Sequence, residues 1–354
     1  MGNLNRLVLA GFAAAAAVIW AVGITVLQPL SEPEGPDAYG ENNTYWAREL
    51  RWGTLIALVL ILIVLARGAV VGALVTGVVG LVADVAFDRV DKDSGTAGLA
   101  VGAVVAALLC CVVASVARTI PRPRVLFLVA VVAAVTSGLA LGTESPTDVE
   151  TGLNLGSAAV SSLLALVAVA AAAVVTGPVG LRNARIVVPA GIVAGAAPWL
   201  VRVVSPQPSG GRLLAELAFI VLLVATVVAV ARRPHGLSGR GYLGVLAITT
   251  GVLVVLFYPL AIVSVIVQIG APFTRLAANP PINSADEDAV LIVLGIPIGL
   301  VLGWLLSAFT RDSAGGHPVK DQGPAGTAAT ENRAFGPPPR RGVMPWGDRP
   351  DREP

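Results

Sequence analysis

The chain has 354 residues, of which 55% are hydrophobic and only 13% are charged, with a formal net charge of +2 and a mean hydropathy of +0.81. Soluble domains carry about 25% charged residues. The composition therefore argues against a soluble enzyme, a disordered chain and a nucleic-acid binder with a basic face. It predicts an all-α, polytopic transmembrane helix bundle whose first partner is the lipid bilayer.

Ten apolar segments approach the roughly 20 residues that a helix needs to cross the hydrocarbon core. Spans two and three are separated only by Arg67 and Gly68, so they form either a tight helical hairpin or one long broken element. The ten predicted spans are Leu7–Leu27, Leu50–Ala66, Ala69–Phe87, Thr96–Ala117, Val125–Leu141, Ala158–Val175, Ile186–Val204, Leu213–Ala231, Tyr242–Ile269 and Ala289–Phe309.

The chain divides into two parts by composition. Residues 1–310 form the predicted transmembrane helical domain, and residues 311–354 are rich in Gly, Pro and mixed charges. The second part cannot bury enough apolar area to fold, so we expect a disordered cytoplasmic tail. It is either a solvated tail or, through the segment from Phe335 to Trp346, a docking motif for a cytoplasmic protein partner.

The distribution of arginine predicts how the spans are threaded. Basic residues are more numerous in the shorter loops of one side, and every Asp and Glu before the tail falls on the other side. By the positive-inside rule, both termini are cytoplasmic. Abundant Ala, Val, Gly and Arg, with Lys92 and Lys320 as the only lysines, indicate a high-GC bacterial genome. We therefore expect a bacterial plasma-membrane location.

Two stretches of the chain resemble each other. The segments that begin at Arg6 and Arg185 align without gaps, so that Trp20 matches Trp199 and Gln28-Pro29 matches Gln207-Pro208. This is either a parallel internal repeat, with spans 1–4 corresponding to spans 7–10, or a chance match between apolar segments of low complexity.

Ligands for common cofactors and metals are missing from the sequence. The two histidines, His235 and His317, lie in polar segments, and Cys110 and Cys111 are neighbours in an apolar run. Neighbouring helical residues point about 100° apart, so a disulfide between these cysteines is not expected. No P-loop, nucleophile elbow or H-E-x-x-H motif occurs. We expect no cofactor, no metal and no enzymatic activity.

Ionisable residues at the ends of spans are the candidates for a functional site. Asp84 lies near the end of span three, Glu216 at the start of span eight, Glu49 at the start of span two and Arg202 at the end of span seven, all toward the predicted outside. They are either interfacial residues that snorkel and pair in loops or an ion or proton site in an outward vestibule. Glu216 is favoured because a helix N-terminus stabilises its charge.

Three functions are compatible with these features. The first hypothesis is a structural or accessory subunit of an envelope complex, which the scarcity of intramembrane charge and the tail favour. The alternative is a small-solute or ion transporter, which ten spans, the repeat and the outer acidic residues favour. A membrane enzyme that acts on lipid-linked substrates is the third, and it requires Asp84, Glu216 and Arg202 to converge in one pocket.

Overall fold

The structure is a computed structural model that describes residues 3–31, 44–90, 95–117, 119–143, 151–175, 177, 181–205, 209–232, 238–278 and 291–312. Within these ranges the secondary structure is entirely helical. Helix α1 comprises Asn3–Val22, a π-helical turn at Gly23–Leu27 and a last turn at Gln28–Leu30. The others are α2 (Thr44–Leu65), α3 (Val71–Val90), α4 (Thr96–Val116), α5 (Pro123–Gly142), α6 (Thr151–Val175), α7 (Leu181–Val204), α8 (Gly210–Ala231), α9 (Gly239–Val267), α10 (Ala271–Ala277) and α11 (Leu291–Asp312).

The fold is a polytopic helical bundle embedded in a lipid bilayer. In the described part of the chain, eight helices (α1 and α3 to α9) are long and apolar enough to cross a membrane. The second predicted span is a helix as well, but it carries Arg48, Glu49 and Arg51 in its first half. The last predicted span is apolar over Leu291–Ser307.

Helices α2, α5 and α6 form the centre of the bundle. Helix α5 packs against α6, α8 and α11, and α6 packs against α2 and α7. The facing surfaces of α5 and α6 consist largely of Ala and Val, so these helices approach closely. The outer helices α3, α4, α7 and α9 are little buried and present Val, Leu and Ile outward, as expected of surfaces that contact lipid tails.

Spans two and three are separate helices joined by a tight turn, which settles the choice that the sequence left open. The amide of Gly68 donates to the carbonyl of Ile63 and that of Arg67 to Val64, the bond pair of a Schellman helix end. Both Arg67 (φ 55°) and Gly68 (φ 95°) adopt left-handed backbone conformations. We call the side of the bundle where this turn lies the hairpin end.

The polar residues of the bundle collect at the opposite side, which we call the charged end. The end of α3 meets the start of α2 there, and the start of α11 meets the same part of α2. The end of α7 meets the end of α5 and the start of α6. The long helices therefore alternate in direction, and both the start of α1 and the end of α11 lie at the hairpin end.

The helix packing does not follow the internal repeat. Helix α1 packs along α4, whereas their counterparts in the repeat, α7 and α11, do not pack side by side in the described chain. Trp20 is buried, whereas Trp199 is 40% exposed. Gln207 and Pro208 lie outside the described residues. The sequence match is thus left without support from the packing, and residues 313–354 of the predicted tail also lie outside the described part.

Candidate functional site

Arg51 is the centre of a buried charged cluster that joins α1, α2 and α3. Its side chain is fully buried, as is that of Asp84. Arg51 Nε donates to Asp84 Oδ1 at 2.7 Å and Arg51 Nη2 donates to Asp88 Oδ2 at 3.0 Å. Arg51 Nη1 donates to Gln28 Oε1 at 2.6 Å. One guanidinium therefore binds two carboxylates on α3 and an amide on α1.

Two tryptophans complete the surroundings of Asp84. Trp20 Nε1 donates to Asp84 Oδ1 at 2.8 Å, and Trp52 Nε1 donates to Asp84 Oδ2 at 3.1 Å. With Arg51, three donors bind this one carboxylate. Three buried donors stabilise the ionised form and offset much of the cost of removing a charge from water. We refer to Arg51, Asp84, Asp88, Trp20, Trp52 and Gln28 as the charged cluster.

Local helix geometry makes room for Arg51. The π-helical turn of α1 begins at Gly23, where a Cβ atom would lie 2.7 Å from Arg51 Cγ. A glycine is therefore required for the guanidinium to pass α1 and reach α3. On α3, Asp84 and Asp88 are one helical turn apart, so both carboxylates face α2.

The Arg51–Asp84 pair of the charged cluster lies inside the length of α2 and α3 and not at their ends. Asp84 is thirteen residues from Val71, the first residue of α3, which is about 20 Å along a helix. Arg51 lies at a similar height above Leu65, the last residue of α2. If the hairpin end marks one boundary of a hydrocarbon core of about 30 Å, the cluster lies roughly 10 Å inside the other boundary. Charges at this depth persist only when paired and hydrogen-bonded.

The neighbouring charges on α2 attach the other helices of the charged end. Glu49 is buried and its Oε1 accepts from the backbone amide of Ile292 at 2.6 Å. Because Ile292 lies in the first turn of α11, Glu49 caps the positive end of that helix. Arg48 Nη1 donates to Thr274 Oγ1 at 2.7 Å, and its guanidinium lies 5.7 Å from the centre of the Trp52 ring. These contacts fix α10 and α11 to α2.

Arg202 joins three further helices at the same end. Its Nη2 donates to the carbonyls of Leu141 and Thr143 at 2.7 and 2.8 Å and to the hydroxyl of Ser157. Its Nη1 donates to Asn154 Oδ1 at 3.1 Å. The guanidinium therefore satisfies carbonyls at the end of α5, which have no partner within their own helix.

Glu216 pairs within its own helix. Arg212 Nε donates to Glu216 Oε1 at 3.1 Å, a contact between residues four apart on α8. Glu216 Oε2 also lies beside Gly142, where an added Cβ would be 3.3 Å away. Glu216 and Arg202 thus both border the end of α5.

The four residues that the sequence singled out are at one end of the bundle, but they have different partners. Asp84 binds Arg51, Glu216 binds Arg212, and Glu49 binds the start of α11. Arg202 shares the end of α5 with Glu216. The enzyme hypothesis requires Asp84, Glu216 and Arg202 to converge in one pocket. Within the described contacts, these three residues do not form one cluster.

Sequence reasoning overlooked several members of the charged cluster. The predicted second span begins at Leu50, whereas α2 begins at Thr44, so the prediction also places Arg48, a neighbour of the cluster, in a loop although it is buried in a helix. Asp88 and Trp52 were not singled out. The signal for them was spacing, since Asp88 follows Asp84 by four residues and Trp52 follows Arg48 by four.

Comparison of the chain with protein-family models, with curated proteins and with solved structures found no match. Among the residues that the structure describes, no group of three or more His, Cys, Asp or Glu is arranged to hold a metal ion.

Proposed function

We propose that this protein is a structural or accessory subunit of an envelope complex, without catalytic or transport activity of its own. The observation that carries the proposal is the solid apolar core between the central helices α5 and α6, at the depth below the charged end. Ala130, Ala133 and Ala134 of α5 are fully buried, as are Val167 and Ala168 of α6. A transport path needs polar groups or an opening at this depth, and small apolar side chains fill it here.

Several polar groups deeper in the described bundle bind one another or their own helix, whereas the buried hydroxyl of Thr136 on α5 has no hydrogen-bond partner. Ser137 donates to the carbonyl of Ser161 at 2.7 Å and so joins α5 to α6. The hydroxyl of Thr249 donates to the carbonyl of Val245, four residues earlier on α9. These bonds are typical of structural hydroxyls in membrane helices. They give no support to a solute path near Thr249.

We also infer the threading of the chain. The alternating directions of the ten long helices support ten crossings, including α2 and α11. The exposed Arg122 and Arg124 near the hairpin end support the threading with both termini in the cytoplasm, and the acidic residues at the opposite end agree with it. Under this threading the charged end faces outward and residues 311–354 are available to a cytoplasmic protein. A bacterial plasma membrane is the location that we propose.

The proposal is tested by isolating the protein from native membranes. We would compare the full-length chain, a chain that ends at Thr310 and a chain whose last 44 residues (354 minus 310) are present in scrambled order. A stoichiometric partner that is retained by the full-length chain alone supports an accessory subunit that docks through its tail. Recovery of the same substoichiometric proteins with all three chains contradicts it.

The second candidate is an ion or small-solute permease. The observation that favours it is a buried guanidinium with two buried carboxylates inside an apolar bundle. Within the charged cluster, Gln28 Nε2 is buried and has no hydrogen-bond partner in the structure. This amide nitrogen is a donor for a bound water.

The permease is tested in proteoliposomes that contain only this chain. Proton or cation flux that is lost in Asp84→Asn or Glu216→Gln, with normal insertion of both variants, supports a permease. Thr226→Val, which removes an exposed hydroxyl bonded to its own helix, is the matched control. Absence of flux for the unmodified chain contradicts the permease and leaves the accessory subunit.

A further inference from the structure

An apolar groove of about 660 Å³ runs along α2 between α3 and α11. Its walls include Leu55 and Ile63 of α2, Leu74 and Val78 of α3, and Leu300 of α11. Leu74, Val78 and Leu300 are between 45% and 62% exposed, so the groove is open sideways to the bilayer. In a membrane such a groove is occupied by another molecule, and the length and surroundings of the groove indicate which kind.

The groove is closed at the charged end. Phe273 of α10 packs edge-on against Trp52, with ring centres 4.8 Å apart, and both residues line the groove. Helix α10 is fixed there by two arginines, since Arg48 donates to Thr274 and Arg89 Nη1 donates to the carbonyl of Leu276. A molecule in the groove therefore has its polar part at the hairpin end or outside.

The hairpin end of the groove is basic. Val70 and Val125 line it there, and Arg122 lies beside Val125, because an added Cβ at Gly68 would contact both residues. Arg122 and Arg124 are exposed, and neither guanidinium has an ion-pair or hydrogen-bond partner in the described chain. Their charges are available to an anion at the membrane surface, in the leaflet where anionic lipids and arginines attract each other.

The length of the groove fits a single acyl chain. Along α3 the groove extends from Val70 to Leu81, which is about 16 Å of helix. One leaflet of the hydrocarbon core is about 15 Å thick. The groove is therefore as long as an acyl chain that enters from the leaflet of the hairpin end.

We propose that this groove is a binding site for an anionic phospholipid. One acyl chain lies between α3 and α11 with its methyl end below the Trp52–Phe273 pair, and the phosphate lies at Arg122 and Arg124. The site is independent of whether the protein is an accessory subunit or a permease.

The test counts phospholipid that remains on the purified full-length protein. The chain is reconstituted in nanodiscs of equal parts phosphatidylcholine and phosphatidylglycerol, washed in detergent and analysed by native mass spectrometry. We expect one phosphatidylglycerol per chain. Val78→Phe places a ring in the groove and should abolish retention, whereas Val75→Phe, on an exposed position of α3 that does not line the groove, should not change it.

The head-group assignment has its own variants. The double variant Arg122→Gln/Arg124→Gln should retain phosphatidylglycerol and phosphatidylcholine without preference, and Arg240→Gln, an exposed arginine at the start of α9, should keep the preference. Leu300→Phe blocks the groove from α11 and replaces Val78→Phe if that variant elutes as an aggregate. The proposal is overturned if the blocked variants still retain the lipid, or if the unmodified chain retains phosphatidylcholine equally well.

Discussion

Replacement of Asp84 by asparagine should cause a large loss of stability. The substitution keeps the size of the side chain but removes a fully buried charge that binds Arg51, Trp20 and Trp52. The new NH₂ group would face donors instead of acceptors. Breaking a buried ion pair typically costs about 3–5 kcal/mol. Because Arg51 keeps Asp88 and Gln28 as partners, we place the loss at the lower end, about 3 kcal/mol.

The assay is equilibrium unfolding of the purified protein in mixed micelles, followed by circular dichroism. Asp88→Asn is the matched control, because Asp88 lies one turn nearer the end of α3 and binds Arg51 through one bond. It should cost about 2 kcal/mol, less than Asp84→Asn, because its side chain is also buried and ion-paired with Arg51. The double variant Arg51→Met/Asp84→Leu removes both charges and should lose less than the sum of the single variants. A loss below about 1 kcal/mol for Asp84→Asn, or strict additivity, would refute the reasoning.

Two further substitutions test the helix contacts by the same unfolding measurement. Gly299→Ala should cost about 1–3 kcal/mol, because its Cβ would lie 2.6 Å from the backbone of Val132. The control Gly11→Ala, with nothing within 4 Å of the new Cβ, should be neutral or stabilising. Equal effects of the two substitutions would contradict the close approach of α11 to α5. Glu49→Gln should cost about 1 kcal/mol by weakening the cap at Ile292. It should also speed amide exchange in the first turn of α11, and unchanged exchange there would argue against the cap.

The course of the helices was predictable from the sequence because lipid leaves the backbone little choice. A long apolar run must satisfy its own hydrogen bonds and therefore becomes a helix, and each of the ten predicted segments falls on one of the described helices. The main error was the start of α2. Hydropathy treats Arg48, Glu49 and Arg51 as single charges that avoid the membrane, whereas the fold buries all three and pairs them.

The candidate site was predictable only in part. Asp84 stood out as an acidic residue in an apolar span, and its position at the charged end agrees with the predicted side. Its partners could not be deduced, because Trp20 and Arg51 come from other helices, 64 and 33 residues away in the chain. Glu49 and Glu216 both lie at the predicted start of a span, but Glu49 caps another helix and Glu216 pairs with Arg212 of its own.

The position of these polar contacts suggests what they do for the bundle. Lipid tails are as apolar as the helix surfaces, so little besides packing resists sliding of one membrane helix along another. A slide of α2 along α1 by one turn, about 5.4 Å, would separate Arg51 from Gln28. Arg202 fixes α7 to α5 and α6 in the same way. The charged end therefore helps to set the axial register of the bundle, a role that is compatible with the structural subunit proposed above.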